Sequence, residues 1–551
     1  MTAGDGLRAP GSRSHYDAIV IGGGHNGLVC AAYLARAGRR TLVLERRPMV
    51  GGAAVTEEIF PGFKFSVFSY VVSLLRPEII RDLDLPSHGL QILPLESTIT
   101  PLDNGDYLGT WGDADESRRE LERHSPRDAE AAAVFGRLMH HMAMAVKPIL
   151  AMVPPDPASM APSDLRSMLK LGGHMRELGA ERFHALYKLM TMSSADYLDE
   201  WYEFDPLKAT KSASGIIGTF LGPRSPGSAY VLLHHYMGEI DGAFRAWGFQ
   251  KGGTGAISES IAGAARSFGA EIRTDAAVVR VLVKDGRATG VALSNGDEIS
   301  APVVVSGLDP RRTFLELVDR KELPPDIVSA VEQYKFRGSS GKVNLALSGL
   351  PEFTCLSGSD ASLRVRAARG AVSISPSVDY LERAYDDAKY GEFSRHPYMD
   401  IVLPSMIDPG MAPPGKHVMS VFVQYAPYHL NGGWTDAKRE AFGDAVVDTI
   451  ARYAPNIKSL ILGRQVLTPA DVERITGLSE GNIFAGELAL HQLFFLRPAA
   501  HWAKYATPIR GYWQCGAGTH PGGGIMGASG RLAAIQIAGS SVRPVAQAKS
   551  K

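Results

Sequence analysis

Three glycines near the N-terminus have the spacing of a dinucleotide-binding turn, G-x-G-x-x-G. The first glycine permits a tight turn after a strand, the second lets the backbone approach a pyrophosphate, and the third lets a helix pack on the sheet. Glu45 follows Gly24 by 21 residues, the distance at which a carboxylate accepts hydrogen bonds from a ribose. The spacing therefore predicts a dinucleotide site. Its predicted residues are Gly22, Gly24, Asn26, Gly27, Glu45 and Arg46.

Two more glycine-rich loops could approach the same ligand. One follows the ribose acid and comprises Gly51, Gly52 and Ala53. The other lies near the C-terminus and contributes Gly518, Gly523, Gly524 and Ile525. Glycines that precede a helix allow close backbone approach and leave N–H groups free to donate. The alternative interpretation of each loop is a connecting turn, and the first motif does not by itself separate FAD from NAD.

Histidines are the candidates for acid–base chemistry, because imidazole titrates near neutral pH. The candidates are His234, His235, His491 and His520. Their spacing matches no metal site and no nucleophile constellation, so no metal ligands are predicted. Adjacent positions 234 and 235 would face different directions, so at most one of them should face the substrate. His520 is the preferred catalytic candidate because its glycine-rich loop should approach the cofactor, and a packed structural histidine is the alternative.

Cysteine chemistry is not expected. The chain has three cysteines, Cys30, Cys355 and Cys515, and no C-x-x-C pair. Dithiol redox chemistry, a disulfide framework and a structural zinc site are therefore not predicted. Cys30 and Cys515 are expected to pack as small apolar side chains, in a reducing compartment.

The predicted elements around the first motif suit this chemistry. Residues 16–21 are apolar and β-branched, which predicts a buried parallel strand. A helix is predicted from about Asn26 to Ala37, with Gly38 as its cap, and a second strand is predicted over 41–45. Together they form a βαβ unit of about 30 residues, the usual length of such a unit.

The remainder of the chain predicts a helical insertion and a second sheet. Long helical stretches at 128–152 and 163–202 form the insertion. A helix at 256–268 and another at 435–453 are also predicted. Strands that continue the first sheet or begin another are predicted near 271–283, 288–293, 303–306, 341–348, 371–375, 399–403 and 417–424.

Length also predicts two domains, because 551 residues exceed what one core normally holds. The nucleotide-binding domain is predicted to combine residues 1–110, 250–310 and 470–551. The substrate domain is predicted to combine 111–249, which carry the helical insertion, with 311–469. The predicted fold class is α/β, a Rossmann-like domain with a second, mixed α+β domain.

The composition limits the classes of partner that are expected for the chain. Lys plus Arg and Asp plus Glu number 58 each, so the formal net charge is zero and no nucleic-acid partner is predicted. No run of about 18 apolar residues occurs, so no membrane-spanning helix is predicted. Residues 1–15 lack the apolar segment of a secretory signal. A cytoplasmic protein is expected, or a mitochondrial one if the source is eukaryotic, and the sequence does not set the oligomeric state.

Several runs of residues resemble the carotenoid/retinoid oxidoreductase family, which includes the phytoene desaturases. The N-terminal run is YDAIVIGGGHNGLV, followed by LERR and GGAAVTEE. Further runs are PGFKFS at 61–66, YVLLHH at 230–235, GNIF at 481–484 and CGAGTHPGGG at 515–524. The resemblance covers nearly the whole chain, and its motifs are long and specific.

This resemblance implies non-covalent FAD and a two-domain fold like that of the amine oxidases. It also implies that the loop over 516–530 returns to the flavin and that Val278 offers backbone groups to the adenine. The implied reaction is dehydrogenation of an unactivated bond, with redox-neutral isomerisation as a variant. Two alternatives stay open. One is an FAD-binding regulatory protein with little turnover, and the other is a flavin amine oxidase, in which Tyr512 and Trp513 could form aromatic walls.

The helical insertion points to an apolar substrate. Residues 128–202 are rich in methionine and leucine, and Met-rich surfaces adapt to irregular apolar ligands. We predict that this region covers an elongated apolar cavity that ends at the flavin, and that it contacts a membrane surface without spanning it. A plain helical core is the alternative interpretation.

Overall fold

Strands and helices alternate along the chain in the computed structural model, which describes residues 15–240, 242–244 and 246–539. The strands are β1 (Ala18–Ile21), β2 (Thr41–Leu44), β3 (Thr56–Phe60), β4 (Phe63–Ser66), β5 (Ile92–Pro94), β6 (Ser97–Pro101), β7 (Tyr107–Trp111), β8 (Glu239–Ile240), β9 (Ala243–Phe244), β10 (Gly248–Gln250), β11 (Glu271–Arg273), β12 (Val278–Lys284), β13 (Arg287–Leu293), β14 (Glu298–Ser300), β15 (Val304–Ser306), β16 (Ser340–Leu347), β17 (Ala371–Ile374), β18 (Tyr398–Val402), β19 (His417–Gln424), β20 (Ile461–Leu467) and β21 (Tyr512–Gln514). The helices are α1 (His25–Arg36), α2 (Pro77–Asp82), α3 (Ala114–Glu122), α4 (Pro126–Leu150), α5 (Pro162–Glu177), α6 (Gly179–Thr191), α7 (Ser194–Asp199), α8 (Asp205–Ala213), α9 (Ser228–Tyr236), α10 (Gly255–Ser267), α11 (Pro325–Glu332), α12 (Ala361–Ala368), α13 (Val378–Lys389), α14 (Asp436–Tyr453), α15 (Ile457–Leu460), α16 (Pro469–Thr476) and α17 (Ala528–Ala538).

Five parallel strands form the first sheet, in the order β11-β2-β1-β15-β21. Alternate residues of β1 enter two different cores. Ala18 and Val20 pack with α1, α10 and α17, whereas Ile19 and Ile21 pack with β12 and β13. A parallel sheet covered on both faces needs apolar residues at successive positions, and β1 and β2 supply them. The predicted βαβ unit and two-domain α/β fold are confirmed.

Seven strands form a second, mixed sheet in the order β20-β16-β19-β18-β17-β6-β7. All neighbours are antiparallel except β17 and β6. The four segments predicted between 341 and 424 become β16 to β19. Strands β6 and β7 fall inside the predicted nucleotide piece 1–110, yet they pair at the edge of this sheet, and β20 was not predicted. The remaining domain boundaries stay predictions.

The strand predicted over 271–283 is two strands in different sheets. Asp275 has a φ of +52°, a left-handed conformation that interrupts the extended chain. Strand β11 before it joins the parallel sheet, whereas β12 after it pairs with β13 in a separate antiparallel sheet.

The helical insertion contains α3 to α9. The stretch predicted as one helix over 163–202 is three helices, because Gly179 has a φ of +75° and Ser193 caps a new helix start. Met139, Met142 and Leu189 are fully buried in its core, so part of the Met-rich pattern is ordinary helix packing. Among the described residues, none of the helices combines the length and the apolar character needed to cross a bilayer.

Candidate functional site

The turn after β1 has the geometry that the glycine spacing predicts. Gly22 has a φ of +92°, a conformation that favours glycine. A Cβ on Gly27 would lie 2.2 Å from the Gly22 carbonyl oxygen, so the packing of α1 on this turn requires glycine. A Cβ on Gly24 would meet no atom within 4 Å, so this position faces open space. The tight turn, the open approach and the helix packing are therefore all present.

Helix α1 presents its N-terminus to the same space. No side chain caps its first turn, and that turn contains no acidic residue. Free N–H groups and the positive end of the helix dipole favour an anion such as a pyrophosphate. The buried Nε2 of His25, the first helical residue, has no hydrogen-bond partner in the described structure. Burial lowers the pKa of His25 to about 4, so a neutral ring faces the ligand space.

Glu45, just after β2, lies beside the first turn. The Gly23 N–H donates to one carboxylate oxygen at 2.7 Å, and the Arg47 N–H donates to the other at 2.9 Å. These bonds fix a carboxylate that is buried apart from its edge on the ligand space. Each carboxylate oxygen has capacity for another hydrogen bond, which ribose hydroxyls can use.

The second glycine loop lies directly against the first. Gly51 forms an isolated parallel bridge with Gly24, and its N–H donates to the Gly23 carbonyl at 2.8 Å. Gly51 and Gly52 have φ values of +125° and +61°. A Cβ on Gly51 would lie 2.3 Å from the Ala54 carbonyl oxygen, so glycine is required for this close approach.

The C-terminal loop reaches the same place from the other end of the sequence. Gly523, Gly524 and Ile525 face the space that the first turn faces. Gly518 does not, because a Cβ there would lie 2.2 Å from the Pro310 Cδ, so that glycine serves packing.

Helix α17, which follows this loop, lies against α1. A Cβ on Gly530 would lie 2.1 Å from the Asn26 carbonyl oxygen. The two helices are thus held at a separation that only glycine allows, and α17 supports the N-terminus of α1 from behind.

These segments line one cleft of about 1490 Å³, counting the solvent at its mouth. The predicted cofactor residues that line it are Gly22, Gly24, Asn26, Glu45, Gly51, Gly52, Ala53, Gly523, Gly524 and Ile525. The predicted cofactor residues that lie outside its lining are Gly27, Arg46, Val278 and Gly518. The residue spacing therefore found most of the nucleotide side of the cleft.

Arg46 and Val278 have other surroundings. An Arg46 Nη atom donates to the Ile475 carbonyl at 2.7 Å, so this side chain supports the wall that continues to Gly477. Val278 begins β12 and pairs with Leu293. Its backbone contact with an adenine stays a prediction.

The mixed sheet, the helical insertion and the segments that carry Tyr70 and Phe484 supply the other end of the cleft. Its walls include Tyr70, Ile217, His235, Trp247, Phe422 and Phe484. The Tyr70 and Phe422 rings stack with centroids 5.5 Å apart, and the His235 and Trp247 rings stack at 5.9 Å. The acidic residues on the described lining are Glu45 and Asp309, and both lie on the side of the parallel sheet. This end of the cleft is therefore aromatic and uncharged. Apart from His235, and from Phe484 in the run GNIF, its residues were not indicated by the sequence.

A buried lysine lies directly behind the aromatic wall. Lys342 in β16 is 3% exposed, and its Nζ donates to the carbonyls of Ser66 at 3.0 Å and Phe68 at 3.2 Å. The Nζ also lies 5.4 Å from the centre of the Tyr70 ring. Burial lowers the pKa of Lys342 to about 7. The sequence could have indicated Lys342, because it is the single charged residue in the run SGKVNLAL of β16.

The hydroxyl of Tyr70 continues this network. It donates to Asp400 at 3.0 Å, and burial raises the pKa of Asp400. Proton-holding groups on β16 and β18 therefore lie within one or two contacts of the aromatic end of the cleft.

The structure separates the candidate histidines. His235 lines the cleft and His234 does not, in agreement with the expectation that at most one faces a ligand. Burial lowers the pKa of His235 to about 4, so the ring is neutral. His491 is exposed and lies outside the lining.

His520 corrects the sequence analysis. It is 2% exposed, its Nε2 lies 3.0 Å from the Ile149 carbonyl oxygen, and burial lowers its pKa to about 3. Its own carbonyl accepts hydrogen bonds from Tyr505 and Ser529, and its ring contacts α4 of the helical insertion. The loop thus reaches the cleft at Gly523 and Gly524 as expected, but the His520 ring lies outside the cleft lining, so no contact supports its catalytic assignment.

A second cavity, of about 930 Å³ with the solvent at its mouth, lies at the helical insertion. Its walls include Leu171 and Met175 of α5 and Phe183 and Tyr187 of α6, together with the His520 ring. No described residue lines both this cavity and the cleft. An apolar cavity thus exists where the insertion was predicted to cover one, and a tunnel from it to the flavin stays a prediction.

Two of the cysteines meet in the core. Cys30 of α1 and Cys515, just after β21, are both fully buried. Their thiols share a hydrogen bond, which together with burial raises the pKa of Cys30 well above its usual value. Their burial fits the expected packing role, but nothing in the sequence indicated that they touch.

Comparison with known proteins gives this arrangement a family. Residues 27–538 match the family described as flavin containing amine oxidoreductase. The chain belongs to this family. Within the flavin containing amine oxidoreductases, the rat (Rattus norvegicus) protein called pyridine nucleotide-disulfide oxidoreductase domain-containing protein 2 is 42% identical over 546 residues, which are 95% of this chain and 93% of the rat protein. The chain is thus a flavin-dependent oxidoreductase.

More distant relatives and a solved structure extend the comparison. A limonene dehydrogenase polypeptide of Castellaniella defragrans is 27% identical, with 95% of this chain and 94% of that protein aligned. A lycopene-forming phytoene desaturase of Pseudescherichia vulneris is 26% identical over 92% of this chain and 96% of its own. The solved structure of a putrescine oxidase double mutant superposes with a TM-score of 0.61 at 15% identity, covering 96% and 99% of the two chains. The resemblance to phytoene desaturases and the amine-oxidase-like fold are both confirmed.

Proposed function

We propose that this chain binds FAD and dehydrogenates an apolar substrate at the aromatic end of the cleft. The observation that carries the proposal is the division of the cleft. Its two acidic residues lie on the nucleotide side, and Tyr70, Phe422 and Trp247 line the other end. Such an end excludes water from an apolar ligand and offers no carboxylate to a cationic one.

The nucleotide side fits FAD. The uncapped N-terminus of α1 and the open space at Gly24 suit the pyrophosphate, and Glu45 suits the ribose. The loop at Gly523 and Gly524 allows close backbone approach further along the same cleft, as an extended dinucleotide requires. When bound, the flavin supplies the two-electron acceptor.

The chain's own residues would orient the substrate and handle protons. The stacked rings of Tyr70 and Phe422 provide a flat apolar wall. Lys342, whose pKa is about 7, can hold or release a proton near neutral pH from behind that wall. The names of two relatives, a limonene dehydrogenase and a phytoene desaturase, refer to hydrocarbon substrates, which supports the same substrate class here.

Anaerobic reduction of the purified protein tests the proposal. The cofactor is first released by denaturation and identified by mass. The holoprotein is then mixed with unsaturated hydrocarbons, with diamines and with sugar alcohols, and loss of the oxidised flavin absorbance is followed. We expect hydrocarbons to reduce the flavin. Phe422→Asp places a charge on the apolar wall and should slow this reduction at least about tenfold. The flavin content of the variant should be unchanged. The matched control, Leu462→Asp, changes an exposed side chain of β20.

Amine oxidation is the second candidate, because an aromatic wall can also contact an amine. The residues first considered for this role do not provide the wall. Tyr512 and Trp513 lie in β21, outside the cleft lining, and the Tyr512 hydroxyl donates to the Thr313 carbonyl. Reduction by amines and not by hydrocarbons would establish this candidate. A flavin that no substrate reduces, and that no acceptor reoxidises quickly after photoreduction, would favour the regulatory alternative.

A further inference from the structure

Exposed apolar side chains concentrate on one short part of the described chain. Of the thirteen large apolar side chains that are exposed there, eight lie between residues 134 and 187. The densest group lies on α5 and α6, which pack together as the α5–α6 hairpin (162–191). Leu169 is 77% exposed and Tyr187 is 66% exposed. A group of exposed apolar side chains, unlike a single one, marks an interaction surface.

The spacing of these residues places them on shared helix faces. Leu165, Met168 and Leu169 are three and four residues apart on α5, and Phe183 and Tyr187 are four apart on α6. This set of five residues is the apolar patch of the hairpin.

The patch borders the mouth of the second cavity. Phe183 and Tyr187 are exposed and also line that cavity. Leu171 and Met175 continue the apolar lining inward from α5. An apolar surface therefore leads from solvent into the interior of the helical insertion.

The charges beside the patch are positive. Arg166 and Lys170 flank Leu165 and Leu169 in sequence and are exposed, and neither forms an ion pair with another described residue. At the hairpin turn, Arg176 and Arg182 are balanced by two acidic residues, Glu177 and Glu181. A helix pair with an apolar patch and unpaired basic residues suits a lipid layer, whose acyl chains are apolar and whose headgroups can be anionic.

We propose that the α5–α6 hairpin docks on an anionic lipid surface, with the mouth of the second cavity facing the acyl chains. The inference rests on the proposed function in one respect, because docking would serve to take up the apolar substrate proposed above. A water-insoluble molecule could then leave the bilayer and enter the protein without crossing water.

Vesicle flotation tests the docking without any substrate. Holoprotein is mixed with vesicles of phosphatidylcholine alone, or of phosphatidylcholine with phosphatidylglycerol. It should float with the anionic vesicles, and more weakly at high salt. Replacing the two basic residues, Arg166→Ser with Lys170→Ser, should weaken partitioning by roughly thirty-fold, from about fivefold for each basic residue at a membrane surface. Leu165→Ser with Leu169→Ser and Phe183→Ser should abolish flotation.

The matched control changes exposed apolar residues elsewhere, Val365→Ser with Leu462→Ser, and should float like the unchanged protein. Flavin content reports that each variant is folded. The proposal is overturned if the unchanged protein floats with neither type of vesicle. It is also overturned if the control variant loses as much flotation as the triple variant. It is also overturned if the triple variant changes a dimer into a monomer without affecting vesicle binding, since the patch then joins two copies of the chain. Vesicle binding without hydrocarbon oxidation would contradict only the proposed function, and oxidation without vesicle binding would contradict only the docking.

Discussion

Lys342 is the titratable side chain that should leave the clearest mark on stability. Its pKa is about 7 in the folded chain, whereas a lysine in an unfolded chain has a pKa of about 10.4. Between these two pH values the unfolded state binds more protons, so the free energy of unfolding rises with pH. The slope is at most about 1.4 kcal/mol per pH unit. Below pH 7 both states are protonated, and this contribution no longer changes.

Lys342→Met should remove this dependence. We expect the pH profile of the free energy of unfolding, measured by denaturant titration of the holoprotein from neutral to alkaline pH, to rise less steeply in the variant. Lys64→Met, at an exposed position of β4, is the control and should keep the steeper profile. Parallel profiles for the Lys342 variant and the unchanged protein would contradict the assignment.

Two glycines of the first motif should respond to substitution in different ways. Gly24 has an ordinary extended φ of −67° and faces open space, so Gly24→Val should fold, yet its side chain should occupy the pyrophosphate position and abolish flavin binding. Gly27→Val forces atoms against the Gly22 carbonyl, so it should lower the free energy of unfolding by several kcal/mol, about 3 or more. Flavin absorbance and thermal unfolding separate the two effects. Gly136→Ala on α4, where a Cβ meets nothing, should retain both flavin and stability.

Cysteine replacement should leave the flavin working. A triple variant should retain its flavin content and its rate of flavin reduction, because no cysteine of the described chain lines the cleft. Its changes are Cys30→Ala, Cys355→Ala and Cys515→Ala. Loss of the buried Cys30–Cys515 contact should cost only modest packing energy, about 1–2 kcal/mol. A Cys515 variant that keeps its flavin but cannot be reduced would show that this residue is more than packing.

Residue types identified the nucleotide side of the cleft because its turn requires glycine at fixed positions in the sequence. The sequence distance from Gly22 to Glu45 is set by one helix and one strand, so a local pattern encodes a local structure. The aromatic end could not be found in this way, since Tyr70, Trp247 and Phe422 come from distant segments and have no common spacing. His520 was misplaced for a related reason. Its loop does approach the cleft, but its ring contacts the carbonyl of Ile149, 371 residues away in the sequence, and no local pattern indicates such a contact.

At the scale of elements, the contact between α1 and α17 joins the two ends of the chain at the cofactor. Gly530→Leu should push α17 away from the Asn26 carbonyl, shift the N-terminus of α1, and lower both flavin affinity and thermal stability. Equilibrium dialysis of the flavin and thermal unfolding measure the two losses. Gln536→Ala, on the exposed side of the same helix, is the control. Unchanged flavin affinity in the Gly530 variant would show that α17 does not position α1.

Element prediction succeeded where apolar periodicity is local and failed where pairing is distant. Helices α10 and α14 and strands β16 to β19 lie close to their predicted ranges. Strands β6 and β7 contain serine, threonine and proline, and they join the sheet through the pairing of β6 with β17, more than 250 residues away. The division between β11 and β12 depends on one residue, Asp275, whose left-handed φ is not a preference that its type enforces.

For the whole molecule, the cleft between two sheets predicts a cofactor-dependent stability. Flavin contacts should connect the parallel sheet with the wall from the mixed sheet, so the cofactor binds only the folded chain. Free FAD at 100 times its dissociation constant should then raise the free energy of unfolding by about 2.7 kcal/mol. Thermal unfolding of the protein with and without its cofactor measures this, and FAD should restore the stability of the stripped protein. Identical melting temperatures would contradict a cofactor held by the folded cleft.

The order of strands in the parallel sheet also bears on how the protein is made. Its central strand β1 and the neighbouring strand β15 are about 280 residues apart, and the edge strand β21 follows about 200 residues after β15. At ribosomal rates of 5–20 residues per second, synthesis from β1 to β21 takes roughly 25–100 s. During most of that time β1 and β2 exist without β15 and β21, so their apolar faces depend on other protection. A complete parallel sheet can therefore receive the cofactor only after β21 has been synthesised, which makes the nascent chain a stage at which unpaired apolar strands are exposed to aggregation.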